Sequence, residues 1–268
     1  MQTKIMTEFK YADVAGRSSH FHNSYEVMYV VGGRATITVG ANVYKVGPGK
    51  LLFFSNLEEH QTDITEAPFC RYFVKLDPAQ LNRRLGDIWQ LSVFKNRSEG
   101  FIHWVDLAEY HKTVTELFRM LGEEYGKDDA YTDEIVVSVI RHLLALCSRV
   151  APERFAFSGS EELQSLAKVQ LWIEQHFTED VKIHEITDKL LLNPAQLSRA
   201  FKKATGYTPK QYMMLNRVAR AKELLIHTDR SVNDIGTSSG FQDTSNFIRY
   251  FKQEEGVTPN EYRRINKL

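Results

Sequence analysis

Cysteine is nearly absent from this chain. Cys70 and Cys147 are the only two in 268 residues, which excludes a disulfide framework and suits a reducing compartment. Long apolar runs are missing too. Stretches such as Ile135–Ile140, closed by Arg141, fall far short of the ~20 apolar residues that span a bilayer. The first residues, Met1 to Glu8, hold no apolar signal core. A cytoplasmic location with no membrane partner is the expectation. Net charge is the third absence: 34 Lys and Arg stand against 34 Asp and Glu. From Glu161 onward the count is 16 against 14, so any affinity for a polyanion must come from where the charges sit, with strong salt dependence.

What is present is a repeat. Arg199, Phe201, Lys202, Gly206, Thr208, Pro209 and Tyr212 recur as Arg249, Phe251, Lys252, Gly256, Thr258, Pro259 and Tyr262, all at one offset of 50 residues. Two copies are too few for a solenoid and read as paired helical modules in one domain. In the first copy, Ile183, Ile186 and Leu190 share a helical face. Asn193 is placed to cap the next helix and Pro194 to open it. Leu197, Ala200, Phe201 and Ala204 then form an apolar stripe that Gly206 ends. This is a helix, a tight turn and a second helix. The second copy repeats the scheme, with Val232 and Ile235, a turn at Gly240 and Phe241, Asp243 as cap, and Phe247, Tyr250 and Phe251 as stripe.

Between the copies, Thr208–Ile226 reads as one helix of about 28 Å at ~1.5 Å per residue. Successive major grooves on one side of B-DNA lie ~34 Å apart. Such a helix can present two recognition helices to adjacent grooves. Arg199, Lys202 and Lys203 lie off the stripe of the first recognition helix, and Arg249 and Lys252 off that of the second. Arginine reads guanine edges by paired hydrogen bonds and lysine mostly meets phosphate. Solvated surface charge is the bland alternative, and repetition at matched positions argues against it.

The motif Gly240, Phe241, Asp243, Ser245, Phe247, Arg249, Phe251, Lys252, Gly256, Thr258, Pro259, Tyr262 and Arg263 resembles the DNA-binding domain of AraC/XylS-family transcription regulators, over about Glu161 to Leu268. The resemblance implies base contacts at Ala195, Ser198 and Arg199 in one helix and at Thr244, Ser245, Ile248 and Arg249 in the other. Thr187 and Gly236 depart from the alanine common at their positions, and Gly236 is expected to loosen its helix by roughly 1 kcal/mol.

The N-terminal half reads as short strands. Tyr25–Val31 ends at Gly32 and Gly33, a hairpin signal. Ala35–Val39, Val43–Val46, Leu51–Phe54 and Phe69–Leu76 follow, with Gly/Pro turns between them, as in a sandwich or barrel. His20, His22 and Glu26, then Gly49 and His60, resemble the two motifs of the cupin barrel, in which the matching positions ligate a divalent ion. Three imidazoles and a carboxylate suit Fe, Mn, Ni or Zn. Sensor domains of AraC-type regulators keep part of this pattern around a metal-free pocket, frequently for a sugar, and that is the preferred reading here. A metal sensor or metal-dependent cupin enzyme is the alternative. Glu26, Met28 and Val30 alternate onto one face. Arg34, Tyr44 and Arg71 are further pocket candidates, Arg71 for a carboxylate on the effector.

Beyond Pro78 the pattern turns helical. Leu107–Leu121 is amphipathic, and Thr132–Val150 is apolar over much of its girth, so it needs burial on more than one side. The resemblance implies a homodimer through Asp106–Tyr125. Ala151–Ser160 reads as a linker. The expected architecture is two-domain α+β: a cupin-like effector-sensing barrel (1–105), a helical dimerisation segment (106–150), the linker (151–160) and an all-α domain with two helix-turn-helix motifs (161–268). The expected function is non-enzymatic: a transcription regulator of double-stranded DNA controlled by a small effector. By resemblance it is an activator with RNA polymerase as partner, and no resident cofactor is required.

Overall fold

Two very long strands organise the first half of the chain. In the computed structural model, which describes residues 5–14, 17–20, 22–85, 89–95, 97, 101–127, 129–155, 161–189 and 193–266, β3 (Tyr25–Val39) pairs antiparallel with β6 (His60–Leu76) along almost its whole length. Around them lie β1 (Met6–Val14), β2 (Arg17–His20), β4 (Asn42–Val46), β5 (Lys50–Phe54) and β7 (Trp104–Asp106). The path runs β1-β6-β3-β5-β7, with β2 on β6 and β4 on β3.

The sheet closes over itself. A straight strand from Glu26 to Val39 would run about 43 Å at ~3.3 Å per residue. Yet His60, the register partner of Val39, brings its Nε2 to 3.8 Å from Glu26 Oε2. The bend falls where the register slips, between Val30 and Ala35. Gly33 sits there at φ 70°. A Cβ on it would lie 2.3 Å from the carbonyl oxygen of Pro68, so only glycine admits this approach. The hairpin expected at Gly32 and Gly33 is therefore corrected: the chain does not reverse but kinks through a bulge and continues as the same strand.

Alternation then sorts the side chains. Tyr25, Val27, Tyr29, Leu51, Phe53, Val74 and Leu76 face outward into a core shared with helices. Met28, Val30, Ala35, Ile37, Leu52, Phe54, Phe69 and Phe73 face the barrel interior. The outer core is completed by α1 (Pro78–Leu85), α2 (His111–Glu124) and α3 (Thr132–Val150). Val114, Leu117, Phe118 and Leu121 of α2, and the stripe from Val136 to Cys147 of α3, are all buried there. Both apolar faces are thus covered within one chain, and the exposed side of α2 carries Arg119 bridged to Glu116 and Glu123. Ala151–Ser160 is not wholly a linker. Pro152–Phe155 forms a helical turn, α4, and Phe155 is buried against Phe53. Residues 156–160 lie outside the described residues.

The chain divides into two compact units, Met1–Gly159 and Ser160–Leu268. The second is all helix: α5 (Glu161–His176), α6 (Ile183–Lys189), α7 (Pro194–Thr205), α8 (Pro209–His227), α9 (Val232–Ser238), α10 (Thr244–Glu255) and α11 (Pro259–Asn266). The repeat is visible in its caps. Asn193 accepts from the backbone N–H groups of Ala195 and Gln196, and Asp243 from those of Ser245 and Asn246. Gly206 and Gly256 end α7 and α10 in the left-handed region. No helix among the described residues is long and apolar enough to cross a membrane.

Candidate functional site

In the N-terminal unit, three of the expected pocket residues meet at one end of the barrel. Glu26 is the second residue of β3, His60 the first of β6, and His22 lies in the segment entering β3. His22 Nε2 is 2.9 Å from Glu26 Oε2. The two imidazoles stand edge to face at 5.5 Å, and His60 stacks on Phe54 at 4.0 Å. Glu26 and His60 are 2% and 1% exposed. Burial pushes the Glu26 carboxyl up, but the His22 hydrogen bond leads the opposing effects and holds it well below the usual carboxylate range. Burial also depresses the His60 ring, against the pull of Glu26.

The second ring nitrogens are held as well. His22 Nδ1 lies 3.0 Å from the Ser24 carbonyl oxygen and His60 Nδ1 lies 3.0 Å from that of Glu58. Carbonyls only accept, so each Nδ1 donates to its carbonyl, and each Nε2 turns toward Glu26. That is how imidazoles are oriented in metal sites. The ligand atoms of His22, Glu26 and His60 lie within 4.8 Å of one another, so this donor set fits a divalent transition ion. His20 ends β2 in register with His60, and its side chain lies outside the described residues.

The remaining candidates separate. Arg71 is buried on the interior face of β6, between Phe69 and Phe73. Arg34 is not in the pocket: its side chain is 69% exposed and paired with Glu66 at 2.9 Å. The bulge at Gly32–Arg34 is the cause. It shifts the interior parity from Met28 and Val30 to Ala35 and Ile37, which turns Arg34 outward. Tyr44 is partly buried and joins a cluster that sequence reasoning missed. Its hydroxyl is 2.9 Å from His103 Nδ1, His103 Nε2 is 2.9 Å from Glu58 Oε1, and Arg97 Nη1 meets both Glu58 oxygens at 2.6 and 2.7 Å. Burial pushes the Glu58 carboxyl up, and Arg97 and His103 outweigh it and hold it low. Glu58, Arg97 and His103 stand far apart along the chain, and no local spacing announces them.

The second unit mounts two helices on one beam. At the start of α8, the Tyr212 hydroxyl donates to Glu174 of α5 at 2.9 Å and accepts from Gln170 at 2.9 Å. Mid-helix, Arg217 donates to the carbonyl oxygens of Phe177 and Glu179. Further on, Lys222 pairs with Glu255 of α10 at 2.9 Å, both largely buried. Phe201 packs edge to face on Tyr212, and Phe251 on Tyr262. The faces of α7 and α10 turned away from these contacts carry the repeated cations. Arg199, Lys202, Lys203, Arg249 and Lys252 are all exposed. Among the described residues none of the five enters an ion pair, whereas Arg220 and Lys222 of α8 both do. Ala195 and Ser245 are exposed, and Ser198, Thr244 and Ile248 are half-buried on the same helices. Asn246 accepts from Arg249 at 2.9 Å, and Asn233 from the Thr244 hydroxyl.

Residues 5–144 match the model of the AraC-like ligand binding domain, and residues 186–265 that of a helix-turn-helix domain. The chain belongs to the AraC family of transcription regulators. Similar AraC-family relatives include the HTH-type transcriptional activator RhaS of Klebsiella pneumoniae strain 342, 25% identical over 248 residues, covering 91% of this chain and 86% of that protein. RhaS of Citrobacter koseri is 26% identical over 247 residues, with the same coverage. Among solved structures, ToxT from Vibrio cholerae shares the fold, with TM-score 0.62 at 14% identity over 98% of this chain and 99% of that one. Another ToxT structure, with TM-score 0.60 at 14% identity over 98% of this chain and 97% of that one, is described as bound to an unsaturated fatty acid.

Proposed function

We propose that this AraC-family regulator reads two adjacent major-groove segments with α7 and α10 and that a small molecule inside the barrel controls the reading. The observation that carries the DNA half is the matched set of exposed cations that enter no ion pair among the described residues, Arg199, Lys202 and Lys203 on one helix and Arg249 and Lys252 on the other. Arg199 and Arg249 are assigned to base edges, with Ala195, Ser198, Thr244, Ser245 and Ile248 beside them, and the lysines to phosphate. The effector half rests on the enclosed polar cluster of Glu26, His22 and His60, set among apolar walls with Arg71 nearby, the usual make-up of a ligand pocket. The role is binding without catalysis, in the cytoplasm. Activation is supported by the RhaS relatives, which are named as transcriptional activators, and RNA polymerase is the partner this reading assigns to it.

A homodimer belongs to this reading. Tyr125 at the end of α2, and Tyr131 and Ile135 at the start of α3, are large apolar side chains that this end of the pair leaves exposed. Sedimentation of the full chain should give a dimer that Ile135→Glu dissociates, and a monomeric wild type removes this part. The effector half is tested by selecting a binding site from random duplex DNA and remeasuring its affinity with metabolites present. Coupling of ~1–3 kcal/mol changes affinity about 5- to 150-fold. Constant affinity across sugars, sugar acids and metals would reduce the barrel to a dimerisation platform.

The Nδ1-to-carbonyl orientation of His22 and His60 favours a second reading, in which the barrel holds a divalent metal on His22, Glu26 and His60, with His20 as a further ligand. Elemental analysis of protein purified without chelator decides it. Stoichiometric Fe, Mn, Ni or Zn that Glu26→Ala abolishes supports the metal, and its absence sinks the reading.

A further inference from the structure

An arginine keeps its charge at any physiological pH, so burying one without an anion is costly. Arg71 is such a residue. It is 7% exposed, with the rings of Phe69 and Phe73 at 5.8 and 5.6 Å from its guanidinium carbon. Nη1 reaches the thioether of Met28 at 3.4 Å, a weak acceptor. Nε is buried and has no hydrogen-bond partner. The nearby carboxylates are engaged elsewhere: Glu8 with Lys75 at 2.7 Å and Glu26 with His22 at 2.9 Å. Among the described residues no carboxylate forms an ion pair with Arg71.

The placement adds direction. Met28 is the interior neighbour of Glu26 on β3, and alternate residues on one strand face lie about 7 Å apart. The guanidinium over Met28 therefore sits one side chain away from the Glu26, His22 and His60 cluster. The interior places a guanidinium without a carboxylate partner at one end and the Glu26 carboxyl with two imidazoles at the other. Phe54, Phe69 and Phe73 supply apolar walls.

The geometry points to a small hydroxy-carboxylic acid, of the sugar-acid class, as the effector: its carboxylate pairs with Arg71 and its hydroxyls meet Glu26, His22 and His60. This rests on the reading that the barrel interior holds the effector. A guanidinium fork matches a carboxylate in paired hydrogen bonds. A phosphate dianion fits worse, because it brings twice the charge with a single arginine to hold it. Hydroxyls suit the far end because it presents carboxyl oxygens beside ring nitrogens, and each hydroxyl offers a donor as well as lone pairs.

Isothermal titration of the full chain tests this. The panel is L-lactate, D-gluconate, D-glucuronate and D-galacturonate, with D-glucose, D-galactose and methyl D-galacturonate as neutral counterparts and decanoate as an acid without hydroxyls. At least one hydroxy acid should bind, and its neutral counterpart should bind about a hundredfold more weakly, the loss expected for a charge-assisted pair. Arg71→Met should weaken the acid by a similar factor while leaving the affinity of the neutral counterpart unchanged, and Arg71→Lys should fall between. The comparison of acid with ester uses wild-type protein and does not depend on how the variants fold. A neutral sugar that binds as tightly as its acid would overturn the carboxylate assignment and leave the effector pocket standing. Decanoate binding without any hydroxy acid would overturn the hydroxyl half. Equal loss of acid and neutral affinity in Arg71→Met would make Arg71 a structural residue. No heat with any compound would count against the hydroxy acid and the pocket together.

Discussion

Gly236→Ala is a sharp test of how the second helix-turn-helix is packed, because two physical effects oppose each other there. Helix propensity favours alanine: glycine inside a helix costs about 1 kcal/mol relative to alanine. Packing opposes it. A Cβ built on Gly236 lies 2.8 Å from Phe247 Cδ1 and 3.2 Å from Cγ. Phe247 is fully buried, with Phe241 at 5.0 Å and Phe251 at 5.7 Å between ring centres, so the ring has nowhere to retreat. Overpacking of this kind costs about 1–3 kcal/mol. With a contact this short the cost falls in the upper part of that range, and the net effect is a loss of about 1–2 kcal/mol. Each kcal/mol moves the melting point of a domain of this size by roughly 4–8 °C. Calorimetry of the full chain, with the C-terminal transition assigned by its response to DNA, should show a drop of that order. DNA contacts from α10 should weaken more than those from α7, since Phe247 belongs to α10. A melting point raised by Gly236→Ala would refute the packing argument and restore propensity as the controlling effect.

Three further outcomes follow from the same structure. Lys222→Ala strands the largely buried Glu255 and should destabilise the second unit by about 2–3 kcal/mol, somewhat below a fully buried pair; urea unfolding reads it, and a change under 0.5 kcal/mol would mean the pair is solvated. The pH profile of the N-terminal unit should fall in two steps. His60 is depressed by burial, so the unfolded chain takes up its proton first and stability is lost as pH drops below about 6.5. Glu26 and Glu58 are held below their ordinary 4.5, so their contribution is present above that pH and lost beneath it. His60→Asn should remove the upper step of melting against pH and leave the lower one, and an unchanged profile would contradict the assignment. Replacing Arg34, which is exposed on Glu66, with alanine should change effector affinity less than twofold (about 0.4 kcal/mol or less), against the large loss expected at Arg71.

The parts of the fold that were legible in the sequence are those set by local chemistry. Asn193 and Asp243 cap as their side chains dictate, Gly206 and Gly256 stop their helices, and the Thr-Pro pairs open the next ones. The 50-residue repeat disclosed α7 and α10 as matched helices because each copy constrains the reading of the other. The errors share another cause. Gly32 and Gly33 look like a hairpin from one strand alone, and only the partner carbonyls of Glu66 and Pro68 show that the backbone passes through a bulge. The same bulge inverts the side-chain alternation, so unbroken alternation from Glu26 places Arg34 in the pocket and the folded strand turns it out. Glu58, Arg97 and His103 come together only through the closure of the sheet, with Arg97 39 positions and His103 45 positions after Glu58. Gly236 read as a weakness because propensity is local, and the aromatic ring that requires it belongs to another helix.

The account's central claim is that one chain reads two groove segments through α7 and α10. The most direct measurement is selection from a random duplex library by the purified full chain, repeated with Arg199→Ala and with Arg249→Ala. Wild type should enrich a site with two short motifs about one helical turn, roughly 10 base pairs, apart. Each variant should lose about 1–3 kcal/mol and relax sequence preference in one motif while keeping the other. Enrichment of the same two motifs by both variants at undiminished affinity would contradict the claim.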